Sequence, residues 1–306
     1  MYEFRDKLIY YHFLANGNGK NFINYVKNDV TLFNAVKEKL MTNEITYFVR
    51  ESYDNDNTEL GPNVNTSFKK NNISEDLLIK GIKVITIFDK EYPNRLLNIY
   101  APPLVFYCKG NIATLNQPSL AIVGTREPTS YALPVLKKII PKLIENNLVI
   151  VSGLAKGVDS IAHQLCLNKK NSTIAVLGGG FFHIYPRENI ILSIEIERNQ
   201  LLVTEYPPFV YPAKWRFPER NRIISGLSNG VLVVEAKERS GSLITAQIAL
   251  DQGKEVFAIP GSIMESRSSG CNKLIQQGAK LVYSAEDIIE EMKYVYNNNN
   301  LSNYFY

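Results

Sequence analysis

"SLAIVGTREP", residues 119–128, is apolar from Leu120 through Val123, turns at Gly124, and only then shows charge. A stretch so short and so continuously apolar has no wet face, which marks a strand buried on both sides of a sheet. The pattern recurs downstream in "LVIVSG", "TIAVLGG", "LLVTEYP", "GVLVVEA", "VFAIPG" and "KLVYS". Helix-like segments separate these runs, among them "DSIAHQLCLNKK", "ENIILSIEIERN", "LITAQIALDQG" and "EDIIEEMKYVY". Buried strands alternating with helices imply an α/β domain, a doubly wound and mostly parallel sheet covered on both faces. Pro141 falls inside the helix expected after residue 129, which predicts a kink or an interruption there.

Upstream the pattern changes. "DKLIYYHFLA", "KNFINYVKN" and "TLFNAVKEKLM" space their apolar residues as helices do, so residues 1 to 50 read as a small helical module. The polar, Asn-rich "YDNDNTELGPNVNTSFKKNNISED" reads as a poorly packed joint, and "IKVITIFD" and "PLVFYCKG" as two further strands. At 306 residues and 45% hydrophobic content, the chain has room for one large domain or a large and a small one. No apolar run is long enough for a bilayer span, and "MYEFRDKLIYYHF" lacks a signal-peptide pattern, so a cytoplasmic protein without membrane contact is expected. Cys108, Cys166 and Cys271 are scattered without a CxxC pair, which argues against zinc and disulfides and for reduced thiols. A net charge of +4 permits a nucleic-acid partner without arguing for one.

In doubly wound sheets ligands gather at the carboxyl ends of the strands. Those ends here read "GTREP", "SGLAKGVDS", "GGGFFHIYPREN", "EYPP", "AKERSGSLITA" and "PGS", rich in glycine, small hydroxyls and cations. Gly124, Thr125 and Arg126 place an arginine just past a tight turn, where a phosphate-binding group belongs. Gly153, Gly157 and Asp159 miss the dinucleotide spacing GxGxxG; Asp159 reads as a helix cap, with the backbone N–H groups around it as a possible anion cradle. Gly178, Gly179 and Gly180 permit close backbone approach or a mobile loop. His183 reads as a packed histidine rather than a base, and Arg187 by default as a surface cation. "NGNGKN" near residue 18 lacks the phosphate-loop spacing and a preceding strand, and Ser240 and Ser242 in "RSGS" have no histidine nearby and read as helix caps. No cofactor and no metal is expected.

The strongest local cluster is Lys214 to Arg222, "KWRFPERNR": four cations, Trp215 and Phe217 between them, and the single acid Glu219. A run of charge is usually a solvated helix face. Interleaved aromatics argue otherwise, since rings between cations offer stacking as well as charge, a combination suited to single-stranded nucleic acid.

Taken in order, "AIVGTREPTSYA", "VSGLAKGVDSIAH", "TIAVLGGGFFHIYPREN", "TEYPP", "FPERNRIISGLSNGVLVVEAKERSGSLITAQIA", "VFAIPGS" and "SSGCNKLIQQGA" resemble the DNA-processing protein A (DprA, also called Smf) family over residues 80–285. The resemblance implies an extended Rossmann-like domain at residues 71–296. Before it, residues 1–70 would form a sterile-alpha-motif-like helical domain with its linker, and residues 297–306 would be a short polar tail. It further implies a non-catalytic single-stranded DNA-binding protein that guards incoming strands in natural transformation and loads the RecA recombinase, working as a homodimer. The family's Gly-Ser-Arg motif falls on Gly124, Thr125 and Arg126, with threonine for serine. Its anion pocket falls on Arg126, Arg187, Lys214 and Phe217, with Arg220, Asn221 and Arg222 in or beside it, walled by Gly179, Gly180, Ser240, Gly241 and Ser242. The dimer face would lie around residues 243–252 and 272–278. Two departures are the absence of a winged-helix segment after "YVYNNNNLSNYFY" and Ala132 where the family often has glycine. Two other functions compete: a nucleotide phosphoribohydrolase, for which the glycine loop and its downstream glutamate fit only in part, and a nucleotide-sensing module.

Overall fold

A computed structural model describes residues 2–40, 73–169 and 172–302, with side chains as far as residue 293. Three helices come first, α1 (Tyr2–Leu14), α2 (Gly19–Asn28) and α3 (Val30–Leu40). The turn between the first two uses the left-handed φ of Asn16 (50°) and Gly17 (76°), and the Asn18 side-chain Oδ1 accepts from Asn21 N–H at 3.0 Å to cap α2. That is how "NGNGKN" is used: a helix-to-helix turn. Most of the Asn-rich joint lies outside the described residues.

The chain continues through α4 (Ile73–Ile79), β1 (Lys83–Thr86), α5 (Asn94–Leu97) and β2 (Val105–Gly110). Strands and helices then alternate: β3 (Ser119–Gly124), α6 (Ala132–Glu145), β4 (Val149–Ser152), α7 (Val158–Cys166), β5 (Thr173–Leu177) and α8 (Ile190–Asn199). After them come β6 (Leu201–Thr204), α9 (Arg216–Gly226), β7 (Gly230–Val234), α10 (Gly241–Asp251) and β8 (Glu255–Ala258), and last α11 (Ser269–Gln276), β9 (Lys280–Leu281) and α12 (Ala285–Ser302). Among these residues one sheet runs β1-β2-β6-β5-β4-β3-β7-β8-β9. The seven strands from β6 to β9 pair in parallel, while β1 and β2 add an antiparallel edge. The fold is Rossmann-like. Strand order reverses at β3 and β7, with Leu120 beside Gly230 and Gly124 beside Val234, and sheets of this kind bind ligands outside the carboxyl ends at such a point.

The continuous apolar runs follow from covering both faces. Leu120, Ile122, Ile150, Leu232 and Phe257 point to α6, α7 and α12, while Ala121, Val123, Val151, Val231 and Val233 point to the opposite layer. That second core continues into Leu8, Phe22, Val26 and Leu32, so the N-terminal helices are seated on the β1–β2 edge. Arg5 Nε holds Asp89 at 2.9 Å, and buried His12 Nδ1 meets the Tyr107 hydroxyl at 2.9 Å. At two places the structure refines an expectation. Pro141 sits inside α6 without interrupting it; Pro141 and Lys137, whose carbonyl loses its helical donor, are both exposed, so water can take the bond. Residues 297–302, expected in a polar tail, continue α12, since extending a formed helix fixes one residue for each added bond.

Candidate nucleic-acid interface

The basic cluster becomes a helix start. Arg216, Phe217 and Pro218 form the first turn of α9, where proline's missing N–H is harmless. At the other end Lys254 Nζ donates to the carbonyls of Ser225, Gly226 (3.0 Å) and Ser228 (2.6 Å), covering acceptors the helix leaves open. So anchored, α9 points its N-terminus and its Phe217 ring over the carboxyl ends of the strands.

Phe217, half-buried, is the centre of the site. The Arg126 guanidinium lies 5.9 Å from its ring centroid and that of Arg220 6.0 Å. Arg126 is exposed because the turn beneath it is pinned: Thr125 N–H donates to the Glu235 carbonyl at 2.7 Å, and the Thr125 hydroxyl accepts from Glu127 N–H at 3.2 Å. Arg220 is only 5% exposed and donates through Nη1 to the carbonyls of Gly153 (2.5 Å) and Val176 (2.6 Å), tying α9 to β4 and β5. Burial lowers its pKa to about 10, opposed by the charge of Asp159, so it remains a cation under the ring at neutral pH. Gly178 makes room for the ring, since a Cβ there would stand 2.8 Å from Phe217 Cδ1. Tyr185, absent from the sequence reading, lies with its ring centroid 5.5 Å from that of Phe217. Its only sequence signal is an aromatic residue at a strand's carboxyl end, two positions before Arg187.

Lys214 and Arg187 are exposed, the first three residues before Phe217 and the second two after Tyr185. Asn221 turns to the helix, its carbonyl oxygen accepting from Arg220 Nε at 3.2 Å. Trp215 packs instead with the Arg216 guanidinium, 4.6 Å from its centroid, and Arg216 reaches the Tyr211 carbonyl and, at 3.5 Å, that of Gly17 in the N-terminal turn.

Several expected members stand elsewhere. Arg222, 2% exposed, gives Nη2 to both oxygens of buried Glu205 at 2.7 and 2.8 Å; an α-helix turns two neighbouring positions to different faces, so Arg222 enters the core while Arg220 lies under the ring. Gly179 and Gly180 form neither a mobile loop nor an open wall. Added Cβ atoms would lie 2.9 Å from Pro212 N and 2.2 Å from the Pro207 carbonyl oxygen, and Gly180 N–H donates to Val210 at 2.7 Å. Gly124 answers packing too, its Cβ position lying 2.0 Å from the Val234 carbonyl oxygen. Asp159 does not cap α7, whose N-cap is Gly157; its Oδ2 accepts from Gly153 N–H (3.1 Å) and Ala155 N–H (3.4 Å), which takes up the supposed anion cradle. Ser240 holds the N-cap position of α10 without a side-chain cap bond, Gly241 is open, and Ser242 is buried.

The carboxylates at this edge are structural. Glu235 accepts from Thr129 N–H at 2.8 Å and from its hydroxyl, and Glu188 pairs with Lys156. His183 stacks on Tyr211 at 3.6 Å, and burial lowers its pKa against a raising contact with the Phe209 backbone. The arrangement offers a nucleotide two kinds of partner, a flat ring for a base and cations for a phosphate.

The chain is similar to known proteins over most of its length. A family model described as DNA recombination-mediator protein A matches residues 83–293, from β1 into α12. DNA processing protein DprA of Bacillus subtilis is 50% identical over 214 residues, 70% of this chain and 72% of that protein. The protein of the same name from Streptococcus pneumoniae is 47% identical over 209 residues, 68% and 74% of the two chains. The X-ray structure of DprA from Streptococcus pneumoniae superposes with a TM-score of 0.66 at 45% identity, covering 72% of this chain and 79% of that one. DNA processing protein A from Helicobacter pylori, solved for its single-stranded DNA binding mode, gives 0.63 at 31% identity over 69% and 95%.

Proposed function

The chain belongs to the DNA recombination-mediator protein A family, and from that premise we propose that the Phe217 cleft binds single-stranded DNA. The observation that carries this reading is one half-buried ring with the exposed cation Arg126 against it and the buried cation Arg220 below. Bases in a duplex hide their faces in the stack, whereas an unpaired base lies flat on such a ring while its phosphate meets the arginine. The binding mode described for the Helicobacter pylori relative supports the same ligand.

The protein acts in DNA processing as a cytoplasmic mediator without catalytic turnover, protecting an incoming strand and handing it to the RecA recombinase. It works as a homodimer through α10 and α11; Ile244 and Leu250 of α10 stand 41% and 50% exposed, apolar surface that a partner copy would cover. Titrating single-stranded and duplex oligonucleotides against the wild type, Arg126→Ala and Phe217→Ala tests the binding. Preference for the single strand, weakened in both variants, is expected. Equal affinity for duplex, or wild-type affinity in both folded variants, removes the reading. Following RecA filament growth on the bound strand tests the hand-over, and no acceleration would end that part alone.

A further inference from the structure

Tyr185 stands beside the ring that the proposed function uses, and half of its surface is exposed. Its loop is held from several sides. Asn189 Nδ2 donates to the carbonyls of Leu154 (2.9 Å) and Ala155 (3.2 Å), Phe182 N–H to Pro208 at 2.9 Å, and His183 N–H to Gly180 at 3.0 Å. A ring on so fixed a loop loses little freedom when a ligand settles on it. The Tyr185 and Phe217 centroids lie 5.5 Å apart with their planes at 44°. A base slid between two rings needs two stacking distances of about 3.4 Å each, so the pair cannot sandwich one. Tilted rings instead turn their faces in different directions, so the pair serves two bases rather than one. Arg187, exposed and two residues further on, brings a cation to the Tyr185 side, and Lys156 and Glu188 pair with each other across the same loop.

We propose that Tyr185 is a second stacking platform, taking the unpaired base next to the one on Phe217, with Arg187 toward the intervening phosphate. The proposal rests on the single-stranded DNA reading and adds to it a two-nucleotide subsite in which the strand is splayed, with no preference for base identity. A stacking ring is a flat surface, so phenylalanine serves as well as tyrosine at this position.

The test compares wild type, Tyr185→Ala, Tyr185→Phe and Phe217→Ala on an oligothymidylate at several salt concentrations. Photocrosslinking to the same oligonucleotide carrying 5-iodouracil, with peptide mapping, accompanies it. The expected result is a roughly 5- to 150-fold loss for Tyr185→Ala with an unchanged salt slope, and near-full affinity for Tyr185→Phe. Crosslinks should map to both Tyr185 and Phe217. Because Tyr185 also touches Phe217, a loss of affinity without a Tyr185 crosslink would mean that it only props the first ring, and overturns the proposal. Wild-type affinity in Tyr185→Ala alongside a weakened Phe217→Ala overturns it as well and leaves the DNA reading standing. If neither variant weakens binding, the DNA reading falls with it.

Discussion

Gly178→Ala displaces the central ring without touching a charge or a group proposed to meet DNA. A methyl on Gly178 would lie 2.8 Å from Phe217 Cδ1 and 3.0 Å from Cε1. Carbon atoms in comfortable contact sit about 3.5–4.0 Å apart, so the ring must retreat by about 0.7 Å or swing outward. Either movement changes its tilt against the Arg126 guanidinium, 5.9 Å from its centroid. With base stacking worth roughly 1–3 kcal/mol, losing half to all of it lowers single-strand affinity about 2- to 150-fold. Folding should barely notice. Gly178 is not among the positive-φ glycines, and the atoms that must yield are the far end of a half-buried side chain. A Gly→Ala change that the backbone accepts stabilises by about 0.4–1 kcal/mol through the unfolded chain, so the melting temperature holds or rises slightly. Fluorescence anisotropy with a labelled oligothymidylate, beside thermal melting, reads both quantities. In a Phe217→Ala background the added methyl should change nothing, a non-additivity that identifies the ring as its target. Wild-type affinity in folded Gly178→Ala, with Phe217→Ala weakened, would refute the idea that the ring's position matters.

Arg222→Met strands the Glu205 carboxylate in the core and should cost about 3–5 kcal/mol in urea unfolding, the penalty of a broken buried pair, with DNA affinity per folded molecule retained. Glu219, buried against the Tyr206 hydroxyl at 2.8 Å, has its pKa raised to about 7, chiefly by burial. Its neutral form favours the folded state, so its contribution is complete below the unfolded carboxylate pKa and is lost as pH rises through 7; about 3 kcal/mol disappears across that window, and Glu219→Gln should abolish this part of the pH dependence in calorimetry. Gly17→Val adds a Cβ 2.9 Å from Val210 at a left-handed φ of 76° and should cost at least about 1 kcal/mol in chemical denaturation. Since Phe13 and Arg216 join the same N-terminal turn to the segment carrying Lys214, single-strand affinity should fall with it.

The sheet was legible because burial on both faces leaves an unmistakable trace: β3 to β8 are apolar at most buried positions, with small hydroxyls only at strand ends, and "SLAIVG" has its partners on both sides. Within the candidate site, the meeting of Arg126 with Phe217 was legible, because residue type and chain position agree. The reading failed at Arg222, because a sequence lists four cations in nine residues without saying that the helix turns one of them into the core. The triple glycine was legible as close approach, but not in what approaches it. Gly178, Gly179 and Gly180 look equivalent in sequence, yet one clears the Phe217 ring while the other two clear the 207–212 backbone, a distinction made by segments distant in the chain. Tyr185 went unseen because an aromatic residue near a proline reads as packing until a second ring lies beside it.

The most direct measurement is the wild-type affinity for a single-stranded oligonucleotide as a function of salt, repeated for Arg126→Ala and Lys214→Ala. Three cations of the candidate site are exposed, Arg126 over the ring and Arg187 and Lys214 near it in sequence. If each meets one phosphate, the log–log slope is about −2, and each substitution makes it shallower by about 0.7. A flat titration, or two folded variants whose slopes equal the wild type's, would mean that no phosphate lies where the Phe217 cleft requires one.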